Sequence, residues 1–336
     1  MALLAAGLFG VSTPLIQRVG AGLGAFTTAA LLYAGAAIVG VFSRRPANQE
    51  ARLTRIDLPR LLSMAAFGAV LGPVALAWGL QHTSATGASL MLTLEALFTA
   101  LLATVVYGET MDRRVWAAML LLLTGGIALV LDQGRQGGNE LLGLLAVLLA
   151  TAAWGADNSL SRALAERDPA QVVFGKAVLG VVATILLARL FHEPLPRPGA
   201  AIGLLVIGAT GYGLSLRFYL LAQRAFGAAR TGSVFAFAPF IGAALAIVLG
   251  DRGGSWIMVA GGALMLLGVM LHLAESHGHA HEHAAMSHEH AHRHDDGHHN
   301  HTHDVMPSGA HSHWHVHEPL AHSHPHVPDA HHQHVH

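Results

Sequence analysis

Apolar residues fill most of the first 275 positions, in long runs separated by short polar connections. A helix needs roughly 20 mainly apolar residues to cross the hydrocarbon core of a bilayer. Ten runs reach or approach this length, which predicts an all-α polytopic membrane protein. The predicted helices lie at about 2–17, 23–42, 60–80, 84–107, 114–132, 140–161, 170–190, 200–223, 229–250 and 254–274. The first run is short because Gln17 and Arg18 end it, which leaves its true start open.

Arginines in the short connections predict the orientation of the bundle, because cytoplasmic loops carry an excess of basic residues. With the N-terminus in the cytoplasm, eleven loop arginines fall on the cytoplasmic side and five on the other side. Ten crossings then return the C-terminus to the cytoplasm. The sequence thus predicts a multi-pass protein of the cell membrane with both termini inside. Met1 is followed at once by apolar sequence without a basic region, so we expect no cleaved signal peptide.

Composition agrees with burial in lipid and excludes several other classes of protein. Only 12% of the residues are charged, against about a quarter in soluble domains. The absence of cysteine excludes disulfides, thiolate metal sites and cysteine nucleophiles. A formal net charge of −1 gives no electrostatic case for nucleic acid. The expected partners are the lipid bilayer and a small-molecule or ion substrate, while the oligomeric state, a homodimer included, stays open.

Short motifs recur in the same order at an offset of about 140–145 residues, which predicts an internal repeat. Phe9-Gly10 recurs as Trp154-Gly155, and Gly108-Glu109 recurs as Gly250-Asp251. Residues 1–135 and 136–275 are therefore predicted to be two related five-helix halves. Because five crossings are an odd number, the second half is inverted relative to the first. Inverted repeats are a recurrent transporter architecture, with the substrate site near the membrane midplane.

Two stretches carry a family resemblance. The first is Gly-Ala-Ser-Leu-Met-Leu-Thr-Leu-Glu-Ala-Leu-Phe-Thr-Ala-Leu-Leu over 87–102, and the second is Ala-Ala-Arg-Thr-Gly-Ser-Val-Phe-Ala-Phe-Ala-Pro over 228–239. With the Gly-acid pairs that follow them, they resemble the EamA branch of the drug/metabolite transporter superfamily over residues 1–273. The resemblance implies ten helices around a central cavity, alternating access and a preference for export. Glu95 stands where the family often has the proline that Pro239 supplies in the second half.

Charged and polar side chains inside the predicted helices are candidates for a site, because charge in a membrane costs at least a few kcal/mol and is usually functional. The candidate cavity residues are Glu95, Asp157, Asn158, Ser161, Lys176 and Arg217. Lys176 is the only lysine of the chain. One interpretation is a cavity that binds a polar or charged solute, with protonation of Glu95 or Asp157 coupling transport to protons. The other is that Asp157 and Lys176 pair to fix two helices, while Arg217 extends toward an interface.

Residues 276–336 have a different character, with 23 of the 26 histidines and no long apolar run. Imidazole suits Zn(II), Ni(II), Co(II) and Cu(II). No spacing defines one closed tetrahedral site, so the sequence predicts a disordered cytoplasmic tail that chelates divalent metal. A disordered, pH-responsive tail without a metal role is the alternative. The candidate metal ligands are His277, His279, His281, His283, His288, His290, His292, His294, His298, His299, His311, His313, His315, His317, His322, His324 and His326.

Transport of a small solute is the leading functional prediction, with no cofactor required. The helices contain few metal ligands, which favours a metabolite, an amino acid or a drug-like compound as substrate. Two alternatives stay open, namely a divalent nickel, cobalt or zinc transporter and a non-transporting membrane protein that senses or buffers metal. An enzyme is not expected, because a hydrolase would need a serine–histidine or paired-aspartate arrangement at one depth, and the helices offer no well-placed histidine.

Overall fold

The computed structural model describes residues 1–43, 50–107, 113–164, 167–226, 228–251 and 254–273, together with four tail segments, 277–283, 286–292, 311–317 and 320–326. Within these residues, ten helical stretches are long and apolar enough to cross a membrane, which confirms the predicted fold class. They are numbered here spans 1 to 10, in chain order Ala2–Val19, Ala25–Phe42, Arg55–Leu80, Ala85–Val106, Arg113–Arg135, Gly138–Ser161, Pro169–Leu190, Pro198–Arg224, Thr231–Val248 and Trp256–Leu273.

Six spans are continuous α-helices, and four are built from shorter pieces. The α-helices are α1 (Ala2–Val19), α2 (Ala25–Phe42), α3 (Leu58–Met64), α4 (Gly72–Leu80), α5 (Ala85–Met91), α6 (Leu94–Tyr107), α7 (Arg113–Gln136), α8 (Gly138–Ser161), α9 (Pro169–Leu190), α10 (Pro198–Ile207), α11 (Ser215–Phe226), α12 (Ala228–Phe235), α13 (Ala238–Val248) and α14 (Trp256–Leu273). Short 3₁₀ turns cover Arg55–Asp57 and Arg162–Leu164.

Spans 3 and 8 each contain a π-helical segment, Ala65–Leu71 and Gly208–Leu214, which start 143 residues apart. In span 3 the Gly72 N–H bonds to the Phe67 carbonyl, five residues back. The next donor in this register would be Pro73, which has no N–H. The carbonyl of Gly68 is therefore left without a backbone donor from its own helix, a feature that hydropathy does not reveal.

Spans 4 and 9 are each interrupted near the middle, at positions 92–93 and 236–237. In span 9, Pro239 follows the interruption in the first turn of α13, where proline is well tolerated. Span 4 has no proline there; Glu95 occupies the first turn of α6 instead. Thr93 N–H bonds to the Leu90 carbonyl at 3.0 Å, so the chain tightens locally before α6 begins.

The spans pack in a pattern that repeats after a shift of five spans. Span 1 packs on spans 8 and 9, and correspondingly span 6 packs on spans 3 and 4. Span 2 packs on span 8, and correspondingly span 7 packs on span 3. Spans 2 and 7, 4 and 9, and 5 and 10 pack as pairs. Spans 5 and 10 meet so closely that a Cβ at Gly125 would lie 2.6 Å from the Gly261 carbonyl oxygen. This pattern is expected of two similarly folded halves, while their inversion in the membrane stays a prediction.

In the tail the structure pairs four strands where the sequence predicted disorder. Strand β1 (His277–His283) pairs antiparallel with β4 (Leu320–His326), and β2 (Met286–His292) pairs antiparallel with β3 (His311–His317). The physical reason is the alternation of histidine with other residues, which has the two-residue period of a strand. These segments therefore differ from the expected disordered chelator.

Candidate functional site

Asp157 of span 6 and Lys176 of span 7 form a buried ion pair inside the bundle. Their exposed fractions are 4% and 2%. Gly68 of span 3 packs directly against the pair, because a Cβ there would lie 2.6 Å from Lys176 Nζ and would overlap Asp157 Oδ2. The ion pair between spans 6 and 7 that the sequence suggested is therefore present. Gly68 has no side chain and leaves room for it.

The Gly68 carbonyl receives two side-chain hydrogen bonds in place of the missing backbone donor. The Tyr33 hydroxyl donates one, and the Trp154 indole Nε1 donates the other at 3.1 Å. Both aromatic residues are buried. A carbonyl oxygen has two lone pairs, so the two donors satisfy it fully. Spans 2, 3 and 6 are thus tied together at the residue that packs against the ion pair.

Glu95 and Asn158 extend the polar cluster into span 4. The Asn158 side-chain amide donates a hydrogen bond to Glu95 Oε1, and both residues are half-buried. The Glu95 carboxylate also interacts electrostatically with Asp157 and Lys176. Four of the six predicted cavity residues are therefore brought together, and they are called here the polar cluster: Glu95, Asp157, Asn158 and Lys176.

The other two predicted cavity residues have different surroundings. The Ser161 hydroxyl donates to the Asn158 carbonyl of its own helix at 2.8 Å, which satisfies it locally. Arg217 is half-buried on α11 and, within the described part of the chain, has no ion-pair or hydrogen-bond partner. Neither residue is shown to contact the polar cluster.

Aromatic rings from five spans surround the same region. This aromatic cluster consists of Phe9, Tyr33, Trp154, Tyr212, Tyr219 and Phe235. The Phe9 ring centroid lies 5.5 Å from Trp154, 5.7 Å from Tyr212 and 5.4 Å from Phe235. Tyr33 and Trp154 both donate to the carbonyl of Gly68, which packs against the ion pair, so these rings border the polar cluster. None of these six rings was among the predicted cavity residues, although Tyr33 lies 143 positions before Lys176, near the offset of the repeat.

Several buried polar atoms have no hydrogen-bond partner among the described residues. They include Asp157 Oδ1 in the polar cluster and Thr93 Oγ1 at the interruption of span 4. Thr93 is 1% exposed. Buried polar atoms of native proteins are nearly always partnered by protein, water or ligand. Atoms of this kind are typical of the wall of a polar solute site.

Polar contacts join residues 1–135 to residues 136–275 at both ends of the bundle. At the predicted cytoplasmic end, Glu50 accepts from Arg224 at 2.7 Å and Asp57 pairs with Arg167 at 3.1 Å. These four residues are called here the ion-pair latch. Arg224 also donates to the Arg167 carbonyl at 2.9 Å, which links the two pairs.

At the opposite end, two carboxylates accept hydrogen bonds from the first turns of helices. The Asp251 carboxylate accepts from the Thr86 N–H at 2.8 Å and from its hydroxyl at 2.9 Å. The Glu193 carboxylate accepts from the Phe26 and Thr27 N–H groups at 3.1 and 2.7 Å. Carboxylates at helix N-termini satisfy free N–H groups there. Each of these acids belongs to the second half and caps a helix of the first.

Metal ligands are sparse where the structure describes side chains. No group of three or more histidine, aspartate or glutamate residues is placed to hold a metal ion among the described residues. Of the tail histidines predicted to bind metal, His294, His298 and His299 lie outside the described residues. The remaining fourteen lie in the four strands.

Within the described residues, ten apolar helical stretches and a polar cluster inside the bundle define a multi-pass membrane protein. The model of the EamA-like transporter family matches residues 1–131 and again 141–274. The chain belongs to the EamA-like transporter family. Residues 132–140 lie between the two matched stretches, and the boundary at 135–136 between two halves stays a prediction.

Two individual proteins illustrate the relationship. An uncharacterized transporter of Methanothermobacter thermautotrophicus is 28% identical over 235 residues, which cover 68% of each protein. A protein of known crystal structure superposes with a TM-score of 0.60 at 18% identity, over 81% of this chain and 95% of that one. At this identity the structural likeness shows the fold alone.

Proposed function

We propose that the protein is a secondary transporter that exports a small organic solute through the centre of the bundle by alternating access, in exchange for protons. The observation that carries this proposal is the polar cluster, which holds three ionisable groups inside a membrane bundle. Such groups are costly in lipid, and transporters retain them where a substrate or a proton binds. The unpartnered Asp157 Oδ1 supports the same interpretation, because it gives a solute a buried acceptor.

Alternating access requires contacts that break at one end while they form at the other. The ion-pair latch and the carboxylate caps at the opposite end are contacts of this kind, because each joins the two halves. Opening the latch would expose the polar cluster to the predicted cytoplasmic side. Opening the caps would expose it to the other side. The N- and C-termini are proposed to be cytoplasmic, and the membrane is proposed to be the cell membrane.

An organic solute is favoured over a divalent metal ion by the chemistry of the cluster. A divalent cation prefers several carboxylate or imidazole ligands together. The cluster offers two carboxylates, and Asp157 is already paired with the ammonium of Lys176. A buried ammonium also repels a dication. Transport of nickel, cobalt or zinc is therefore the less favoured alternative.

Uptake into proteoliposomes tests the proposal. Purified protein is assayed with a radiolabelled amino-acid panel and with Ni(II), Zn(II) and Co(II), with and without a pH gradient. We expect saturable organic flux that is stimulated by the gradient and lost in Asp157→Asn. Glu140→Gln, at the far end of span 6, is the matched control and should keep the flux. Metal flux that needs Asp157, with no organic flux, would overturn the organic-solute proposal.

We propose further that the tail binds divalent transition metal as an accessory to transport. The strand register places histidine opposite histidine in six cross-strand pairs: His277–His326, His279–His324, His281–His322, His288–His315, His290–His313 and His292–His311. Directly opposed residues of an antiparallel pair have Cβ atoms about 4.5–5.5 Å apart, and every second residue shares a face. The register therefore aligns histidine positions along both strand pairs, and imidazole is a ligand that suits Zn(II), Ni(II) and Cu(II).

Equilibrium dialysis of Ni(II) and Zn(II) separates this tail site from transport. The full chain should bind metal, and the chain cut after Glu275 should lose that binding while it keeps organic flux. Replacing His277, His279 and His281 with serine should lower the stoichiometry more than replacing His294, His298 and His299. Equal losses from the two triple variants would contradict the cross-strand site and favour a chelator without fixed geometry.

A further inference from the structure

Spans 1, 4 and 9 meet at Gly242, where two oxygen atoms from different spans border the same small space. A Cβ at Gly242 would lie 2.8 Å from the Gly10 carbonyl oxygen of span 1 and 2.9 Å from Ser89 Oγ of span 4. Ser89 is fully buried, and its hydroxyl has no hydrogen-bond partner among the described residues. A buried hydroxyl of this kind calls for a partner that is not a protein atom.

The Gly10 carbonyl lacks its usual helical donor because of a proline in the same helix. The residue whose N–H would bond to Gly10 is Pro14, which lies inside α1. Proline has no N–H to donate. The nearby Ser12 hydroxyl does not take its place, because it donates to the Phe9 carbonyl at 2.6 Å. The Gly10 oxygen is therefore open to a ligand from outside its helix.

The interruption of span 4 frees further oxygen atoms beside Ser89. The Thr93 N–H bonds to the Leu90 carbonyl at 3.0 Å, so the Ser89 carbonyl does not receive this donor. Thr93 Oγ1 is buried and has no partner among the described residues. Ser89 and Thr93 are about one helical turn apart. Span 4 thus offers the carbonyl and hydroxyl of Ser89 and the hydroxyl of Thr93.

The chemistry of these four oxygens favours a small monovalent cation. All four are neutral, and the two carbonyl oxygens can only accept. Divalent cations prefer carboxylate ligands, and the set contains none. The Ser89 carbonyl lies in the last turn of α5, where the negative end of a helix favours positive charge. In transporters with interrupted helices, freed carbonyls and half-helix C-termini coordinate Na⁺.

We propose that a sodium ion binds where spans 1, 4 and 9 cross, with the Gly10 carbonyl, the carbonyl and hydroxyl of Ser89 and the hydroxyl of Thr93 as its ligands. The site is distinct from the polar cluster, because it shares no residue with it. The inference goes beyond the proposed transport function and does not depend on it. A bound ion gives the four oxygens a common partner and fastens span 1 to the interruption of span 4.

Equilibrium dialysis of the purified full chain in detergent against radiolabelled sodium chloride measures this binding without transport. We expect saturable sodium binding to the wild type, and weaker competition by potassium than by unlabelled sodium. Thr93→Val and Ser89→Ala should each lower the sodium affinity about tenfold. Thr184→Val is the matched control. Its hydroxyl is equally buried but donates to the Gly180 carbonyl of its own helix at 2.7 Å, so the affinity should not change.

Pro14→Ala tests the carbonyl contributed by span 1. Alanine supplies the N–H that proline lacks, and this N–H should bond to the Gly10 carbonyl. We expect sodium to bind more weakly to Pro14→Ala than to the wild type. In sodium-free choline chloride, the same variant should have a higher thermal midpoint than the wild type, because the helix gains a hydrogen bond. A sodium affinity of Pro14→Ala equal to that of the wild type would remove Gly10 from the ligand set.

Thermal unfolding separates loss of the ion from loss of the fold. Exchanging choline chloride for sodium chloride should raise the thermal midpoint of the wild type and of Thr184→Val by a few degrees, because the ion binds only the folded chain. Thr93→Val keeps the shape of the side chain and loses only the unpartnered hydroxyl, so it should fold and lack this rise. Absence of saturable sodium binding to the wild type would overturn the inference and leave water as the partner of these oxygens. Sodium affinity unchanged in both Thr93→Val and Ser89→Ala, or tighter binding of potassium than of sodium, would overturn it as well.

Discussion

The Asp157–Lys176 pair shows how single side chains are held in the middle of the bundle. Removing one partner of a buried ion pair leaves an uncompensated charge and costs about 3–5 kcal/mol. Lys176→Met should therefore lower the thermal midpoint of the detergent-solubilised protein markedly. Asp157→Asn combined with Lys176→Met should recover part of the loss, because it leaves no buried charge. Thermal unfolding followed by tryptophan fluorescence measures both.

Arg217→Gln is the matched control for this experiment. Arg217 is also a charged residue of a span, yet it is half-buried and unpaired within the described residues. We expect the thermal midpoint of Arg217→Gln to stay close to that of the wild type. A double variant no more stable than Lys176→Met would show that the pair does not act as one unit.

The sequence revealed which charges lie in the membrane but only part of how they combine. Asp157 and Lys176 were recognisable as a pair because their helices are adjacent in the chain. The hydrogen bond between Glu95 and Asn158 joins spans 4 and 6 over 63 positions, so no local spacing indicates it. The role of Tyr33 was equally hidden, because it depends on a carbonyl freed in another span.

Hydropathy predicted where the membrane-spanning helices lie, but it did not predict where those helices are irregular. All ten spans were predicted within a few residues, because length and apolarity decide whether a segment crosses a bilayer. The π segment of span 3 and the interruption of span 4 depend on backbone register and on neighbouring spans. Pro73 and Pro239 indicate irregular helices in spans 3 and 9, because proline has no backbone N–H to donate. Span 4, however, is interrupted without any proline.

Gly68 links the π segment to the ion pair, and its substitution tests that link. Gly68→Ala places a Cβ against Asp157 and Lys176. Such overpacking costs about 1–3 kcal/mol, and here it also displaces the pair. We expect a lower thermal midpoint and loss of the organic flux. Gly7→Ala is the control, because nothing lies within 4 Å of a Cβ at Gly7. Equal behaviour of the two variants would contradict the tight packing at Gly68.

At the scale of the whole bundle, the ion-pair latch joins the two halves at the predicted cytoplasmic end, and we expect it to hold that end closed. Arg224→Gln removes one ion pair, and the exchange between closed and open bundles should shift toward opening by about 1 kcal/mol. A cysteine at Leu164, which is fully buried behind the latch, reports this opening because the chain has no other cysteine. Maleimide labelling of Leu164→Cys should become roughly fivefold faster in the Arg224→Gln background. Arg189→Gln, which is away from the latch, should leave the labelling rate unchanged. If Leu164→Cys were labelled equally fast with and without Arg224→Gln, the proposed role of the latch would be wrong.

The orientation of the bundle decides which of these ends faces the cytoplasm, and two exposed residues can settle it. Ile56 lies in the 3₁₀ turn at the start of span 3 and is 86% exposed, while Leu195 lies between spans 7 and 8 and is 79% exposed. The excess of arginine places Ile56 inside and Leu195 outside. In intact cells, a membrane-impermeant maleimide should label Leu195→Cys and leave Ile56→Cys unlabelled until the cells are opened. The reverse result would invert the bundle, and the ion-pair latch would then close its outer end.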